Sequence, residues 1–215
     1  YNTDYPWNIS YSTIPYSEAY GNNLKTIEKT YKYGLKYNKK PVIVSGCSFA
    51  YGVGLDFNKN FSAKLSDLAK VPVYNLSCPG YGIQHIFYTL AQQNNLNEIK
   101  NAKMILYVYI NDHLNRLQYT MVKNILNLKV KKEKDGQIKF ENEKKNIITN
   151  SYTYHMINEA LIQNFYEKKK TDDYIEILSM MDKFIKENYK DAEFVVYIYH
   201  YSDNHNHQEA DKRFG

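Results

Sequence analysis

Ser48 lies in the run PVIVSGCSFAYGVG (residues 41–54), just after an apolar stretch and a glycine. Two later segments carry polar groups of related use: NLSCPGYG (75–82), with Gly80, and YIND (109–112), with Asn111. A serine hydroxyl, a glycine backbone N–H and an asparagine amide are the inventory of acyl transfer. The hydroxyl attacks a carbonyl carbon, and the N–H donors receive the oxyanion that develops. Each residue alone has a plainer use. A serine at a strand end serves as nucleophile, phosphate ligand or helix cap. Gly80 after Pro79 suits a turn, and Asn111-Asp112 suits the cap of a following helix. The order and spacing of the three together point to chemistry. Other serine or glycine motifs fit less well. Ala50 stands where a Gly-x-Ser-x-Gly elbow needs its second glycine. No lysine follows Gly52 or Gly54 as a phosphate-binding loop requires, and Gly46 to Gly52 lacks the dinucleotide spacing.

Strands and helices must bring these loops together. Val42, Ile43 and Val44 are the β-branched run of a strand covered on both faces. Further expected strands are Val71–Leu76, Met104–Ile110 and Phe194–Tyr199. Between them fall expected helices near Lys59–Ala69, with Phe61, Leu65 and Leu68 on one face, near Ile83–Asn94, registered by Ile86, Leu90 and Gln93, and over Asp173–Tyr189. This alternation predicts an α/β protein: a doubly wound parallel sheet with helices on both faces and right-handed crossovers. The three loops then open on one rim, at the carboxyl ends of the strands. Residues 1–40 read as an irregular lead-in with a short helix near Asn23–Tyr33, and residues 41–215 as the α/β domain. Asp135-Gly136, between Leu128, Val130 and Ile138, Phe140, predicts a β-hairpin with a tight primed turn, an insertion at about 125–145 after strand three. Such a hairpin is either a wall over the site or a surface decoration.

Composition narrows the partners. The 215 residues are 43% hydrophobic and 24% charged, as in a globular domain with a full core. The net charge of +5 is dispersed; even the lysine-dense run Lys129–Lys145 carries Glu133, Asp135, Glu141 and Glu143. That is a solvated face and not a nucleic-acid stripe. No apolar run reaches the roughly 18 residues of a membrane span, so membrane association is expected only through a segment outside this chain. The 23 tyrosines fit either a tyrosine-lined groove for a sugar or polymer or a compositional bias shared with Asn, Lys and Ile. Cys47 and Cys78 make no disulfide framework or zinc pattern, and two buried thiols are expected, with a disulfide open if their loops adjoin.

GCSFAYG with Ser48, NLSCPGYG with Gly80 and YIND with Asn111 resemble the first three sequence blocks of the SGNH (GDSL-type) hydrolases. The resemblance covers about residues 41–113. It implies a three-layer α/β/α flavodoxin-like fold and esterase or O-acyl chemistry without a cofactor or metal. It also implies that Ser48 is the nucleophile, and that its own N–H, the Gly80 N–H and the Asn111 side chain form the oxyanion hole. Cys47 stands where the family has the aspartate of its signature, a residue outside the catalytic triad. The family's Asp-x-x-His acid–base pair occurs nowhere in the chain; the nearest cluster is Asp203, His205 and His207. It follows the last expected strand directly, about one β/α unit early. The expectation is therefore that a C-terminal unit carrying the pair is missing from this sequence. A base rearranged onto His205 or His207 is one alternative; the other is a catalytically silent SGNH-fold module that binds polysaccharide or a protein. His113 beside Asn111 is a further candidate for substrate contact, and His85 for lining the site. The expected substrate is a small acyl ester or an O-acetylated glycan, and the expected location is extracytoplasmic.

Overall fold

A computed structural model describes residues 31–93, 97–117, 128–142 and 152–199. The elements run β1 (Tyr31–Tyr33), β2 (Val42–Ser45), α1 (Ser48–Tyr51), α2 (Phe61–Ala69), β3 (Val73–Asn75), α3 (Ile83–Gln93), α4 (Asn97–Lys100) and β4 (Met104–Tyr109). They continue with α5 (Asp112–Asn115), β5 (Leu128–Lys132), β6 (Ile138–Asn142), α6 (Tyr152–Asn188) and β7 (Glu193–Ile198).

The central sheet has the order β1-β3-β2-β4-β7. β3, β2, β4 and β7 are mutually parallel, in the registers Val42↔Val73, Val42↔Met104 and Met104↔Glu193. β1 is antiparallel to β3, with Tyr33 opposite Val73. The sheet is therefore mixed, and the all-parallel expectation is corrected at this edge. The end of the lead-in also supplies a strand where a helix was expected. Tyr31-Lys32-Tyr33 is extended because the outer side of β3 offers it hydrogen-bond partners, and Tyr33 gains burial on the core face.

Strand alternation divides the core into two layers. Ile43, Tyr74, Ile105 and Tyr107 face one side, where Ile83, Ile86, Phe87 and Leu90 of α3 and Tyr174, Ile177, Met181 and Ile185 of α6 meet them. Val42, Val44, Val73, Leu106 and Val108 face the other, against Ala50 of α1 and Ala63 of α2. Helices on both faces make a three-layer α/β sandwich around the mixed sheet. α2 is rotated from the expected face: Leu65 packs against the core, but Phe61 and Leu68 do not turn inward. Ser62, Ala63 and Ser66 are buried, while Leu68 is 84% exposed. Small side chains let the helix lie close to the sheet, and the Ser66 hydroxyl donates to Val71 O at 2.7 Å. α6 is 37 residues long, about 55 Å at 1.5 Å per residue; only its second half was expected as helix.

The hairpin β5–β6 is present, paired from Leu128↔Asn142 to Lys132↔Ile138. Its turn is not the two-residue primed type. Gly136 N donates to Glu133 O at 2.9 Å and Glu133 N to Gln137 O at 2.8 Å, closing a three-residue loop. Gly136 alone takes positive φ, +86°. A primed turn of this kind would need Asp135 there as well; instead the Asp135 carboxylate accepts Gln137 N at 3.0 Å. Phe140 packs edge-on against Phe87 and Tyr88, so the hairpin is seated on α3.

Candidate functional site

Ser48, Gly80 and Asn111 come from the carboxyl ends of β2, β3 and β4, three adjacent parallel strands. β2 is the first of these in sequence and lies between the other two, so the connections β2→β3 and β3→β4 run in opposite directions along the sheet. The carboxyl-end crevice at such a reversal is where open α/β sheets take ligands. Ser48 opens α1 and is partly exposed; Gly80 is partly exposed; Asn111 is exposed.

Local chemistry explains why the loops take these shapes. Gly46 separates β2 from Ser48 at a point of close approach. A Cβ there would lie 2.8 Å from Ala50 Cβ and 3.1 Å from Val108 O, so only glycine lets α1 fold back over β4. Gly80 has φ +83°, in the left-handed region that other residues enter at a cost of about 1–2 kcal/mol. Asn111 precedes α5 in right-handed helical conformation and its side chain makes no capping bond, so its amide is not engaged in the plainer role.

The first two loops are joined by backbone: Cys78 N donates to Gly46 O at 3.2 Å, continuing the β2–β3 ladder beyond Leu76 N→Val44 O. The buried Asn75 adds two bonds, donating from Nδ2 to Ala50 O at 3.0 Å and accepting Ser77 N at 3.0 Å. It thereby ties the second loop to the helix that starts at Ser48. The signal for Asn75 in the sequence is a polar residue closing an otherwise apolar strand. Cys47 and Cys78 are both free thiols. Burial pushes the Cys78 thiol up to about 12, partly offset by its hydrogen bond to Tyr81.

The histidines beside the rim face inward. His113 is fully buried, with Nδ1 2.6 Å from the Tyr107 hydroxyl, which is itself 2.6 Å from the Tyr174 hydroxyl. Desolvation, then the positive charge of Arg116 and then His85, hold its pKa down to about 3. Its ring is neutral, and Nε2 has no partner among the described residues. This corrects the expectation that His113 meets substrate: the one-turn α5 swings it under β4 instead. His85 is also buried. Its Nδ1 accepts Gly82 N at 3.1 Å and its ring stacks on Tyr81, so it shapes the second loop from beneath. Asp203, His205 and His207 lie outside the described residues. Among the described residues no group of three or more His, Cys, Asp or Glu side chains could hold a metal ion, and no helix is long and apolar enough to cross a membrane.

Phe49, next to Ser48 in sequence, and Tyr199, just past β7, set two half-exposed rings 5.2 Å apart. Phe61 and Tyr197 stack with ring centroids 6.3 Å apart. No protein-family model matches the chain, and no curated protein is detectably similar to it.

Proposed function

We propose that the chain is a flavodoxin-like domain of the SGNH type, acting as a serine esterase or O-acyltransferase at the rim formed by Ser48, Gly80 and Asn111. One observation carries the reading: the three residues leave the carboxyl ends of the adjacent parallel strands β3, β2 and β4. The order β3-β2-β4-β7 of the parallel part is also the order of flavodoxin-like sheets. In this reaction Ser48 Oγ attacks the acyl carbon as its proton passes to a general base. The Ser48 and Gly80 N–H groups and the Asn111 amide receive the negative charge on the carbonyl oxygen. The adduct collapses with cleavage of the ester C–O bond, the base returns its proton to the departing alcohol, and water or a second hydroxyl, deprotonated by the same base, takes the acyl group while Ser48 Oγ regains a proton. His85 and His113 do not suit the base: His85 is buried and accepts Gly82 N–H at Nδ1, which puts its ring proton on Nε2, and His113 is fully buried with its pKa held down to about 3. Of the alternatives in this sequence, His205 and His207 are the histidines to substitute, and a base supplied by a further C-terminal unit leaves both substitutions without effect. The pair Phe49 and Tyr199 favours a substrate with a flat apolar face beside the ester, as a sugar ring offers.

The test is covalent labelling. A fluorophosphonate probe should add to Ser48, located by peptide mass spectrometry, and Ser48→Ala should abolish both the adduct and hydrolysis of p-nitrophenyl acetate. Residues 1–215 alone should turn over this ester slowly for want of a base; if the full-length protein neither labels at Ser48 nor hydrolyses the ester, it is a silent module and the enzymatic reading fails.

A further inference from the structure

The second and third loops have no sheet contact with each other, because β2 lies between β3 and β4. The Gly80 N–H and the Asn111 amide must nevertheless sit at a fixed separation if both are to meet one oxygen. Something outside the sheet has to set that separation.

Arg116, just past α5, reaches across the gap. Its Nη1 donates to Tyr81 O at 2.9 Å, one residue beyond Gly80. Its Nη2 is 3.5 Å from Asp112 Oδ2, one residue beyond Asn111. Its own carbonyl accepts Gln84 Nε2 at 2.6 Å, from the first turn of α3. Its side chain also lies against Gly82, where a Cβ would be 3.0 Å from Arg116 Cβ and 2.7 Å from Gln84 Oε1. The side chain is only 20% exposed. Exposed ion pairs usually contribute little, but here the guanidinium also donates to a backbone carbonyl of the other loop. A planar fork can hold two acceptors in fixed relative positions; a lysine ammonium on a flexible stem cannot.

We infer that Arg116 is a positioning residue, which fixes the Gly80 loop against the Asn111 loop and so sets the geometry of the oxyanion site. The inference rests on the acyl-transfer reading for its catalytic meaning. The mechanical part stands on the contacts alone.

Both parts can be read in one experiment on the full-length protein. Arg116→Lys, Arg116→Ala and Asp112→Asn are compared with wild type by backbone amide exchange and by p-nitrophenyl acetate kinetics. Arg116→Lys and Arg116→Ala should speed exchange at 80–82 and 111–113 together, about tenfold or more, with amides of β2 and β4 unchanged. Their kcat should fall toward the ~10²-fold that a misplacement near 1 Å produces, with KM little changed. Millimolar guanidinium ion should restore part of the loss in Arg116→Ala and none in wild type. Asp112→Asn keeps the bond to Tyr81 O and should show a smaller change of the same kind, which keeps the inference testable if Arg116→Ala unfolds. Exchange that rises in the third loop alone, or stays at the wild-type rate in both, overturns the inference. So does Ser48-dependent turnover with wild-type kcat in Arg116→Lys and Arg116→Ala. Wild-type protein without Ser48-dependent turnover refutes the acyl-transfer reading and the catalytic role of Arg116 with it, while exchange alone decides whether the two loops are clamped.

Discussion

Replacing His113 with asparagine should flatten the acid limb of the stability curve. The folded-state pKa of His113 is about 3, against 6.5 for the unperturbed ring. Below pH 6.5 the unfolded chain takes up a proton at this position that the folded chain refuses. Stability from this group is therefore fully present above pH 6.5 and falls as the pH drops toward 3. At pH 4.5 the difference spans two pH units, and at 1.36 kcal/mol per unit the loss is about 3 kcal/mol. Asparagine cannot titrate, and its side chain retains a polar atom near the position of Nδ1, within reach of Tyr107. The variant should be less stable than wild type at pH 7, because the ring leaves a buried site. At pH 4.5 the gap should close by about 3 kcal/mol. Urea unfolding at both pH values, followed by far-UV circular dichroism, gives four free energies. Their double difference cancels the carboxylates that also titrate in this range. An equal loss of stability in both proteins between pH 7 and 4.5 would refute the buried, neutral His113 and the packing argument around it.

Further outcomes concern the rim itself. Asn111→Ala should leave a folded protein whose p-nitrophenyl acetate turnover is lowered ~10²–10³-fold, the cost of one oxyanion donor, while Cys47→Ser lowers it far less; the reverse ranking would mean the nucleophile is misassigned. Gly46→Ala forces a Cβ to within 2.8 Å of Ala50 Cβ and 3.1 Å of Val108 O, and should destabilise by about 1–3 kcal/mol in urea melts, as overpacking does; an unchanged midpoint contradicts the close approach of α1 to β4. The Cys78 thiol, raised from 9.0 to about 12, is almost wholly protonated at pH 8. Iodoacetamide should modify it at least about tenfold more slowly in the folded protein than in urea, by mass spectrometry, because the smaller thiolate fraction outweighs the greater nucleophilicity of a high-pKa thiolate; equal rates would refute its burial.

The parts of the fold legible in sequence are those with a local pattern. Val42, Ile43 and Val44 announce a doubly covered strand, and Ile86 and Leu90 mark the buried side of α3, as observed. Long-range contacts decide the rest. Tyr31–Tyr33 is only three residues, and its strand exists because β3 offers a free edge. Phe61 and Leu68 suggested the wrong inner face for α2, because close helix–sheet packing favours Ser62, Ala63 and Ser66 over larger side chains. The first half of α6 did carry a signal in Ile157, Leu161 and Phe165, spaced by four. At the site, the order of Ser48, Gly80 and Asn111 was readable because each follows a strand. Arg116 and His113 were not readable in their roles: Tyr81 is 35 positions from Arg116, and Tyr174 is 67 from Tyr107, the partner of His113.

The hydroxyl chain from His113 through Tyr107 to Tyr174 has a consequence for how the molecule opens. It links the third loop, β4 and α6 with buried polar groups. α6 also places Ile177, Met181 and Ile185 in the layer that holds Ile105 and Tyr107, and just past its end Tyr189 donates to Leu90 O at 2.7 Å. The C-terminal half of this helix cannot lift away without wetting both the apolar layer and the phenols in one step. Helix and rim therefore share one opening equilibrium, and fluctuations that loosen α6 are the same fluctuations that disorder the floor beneath Asn111.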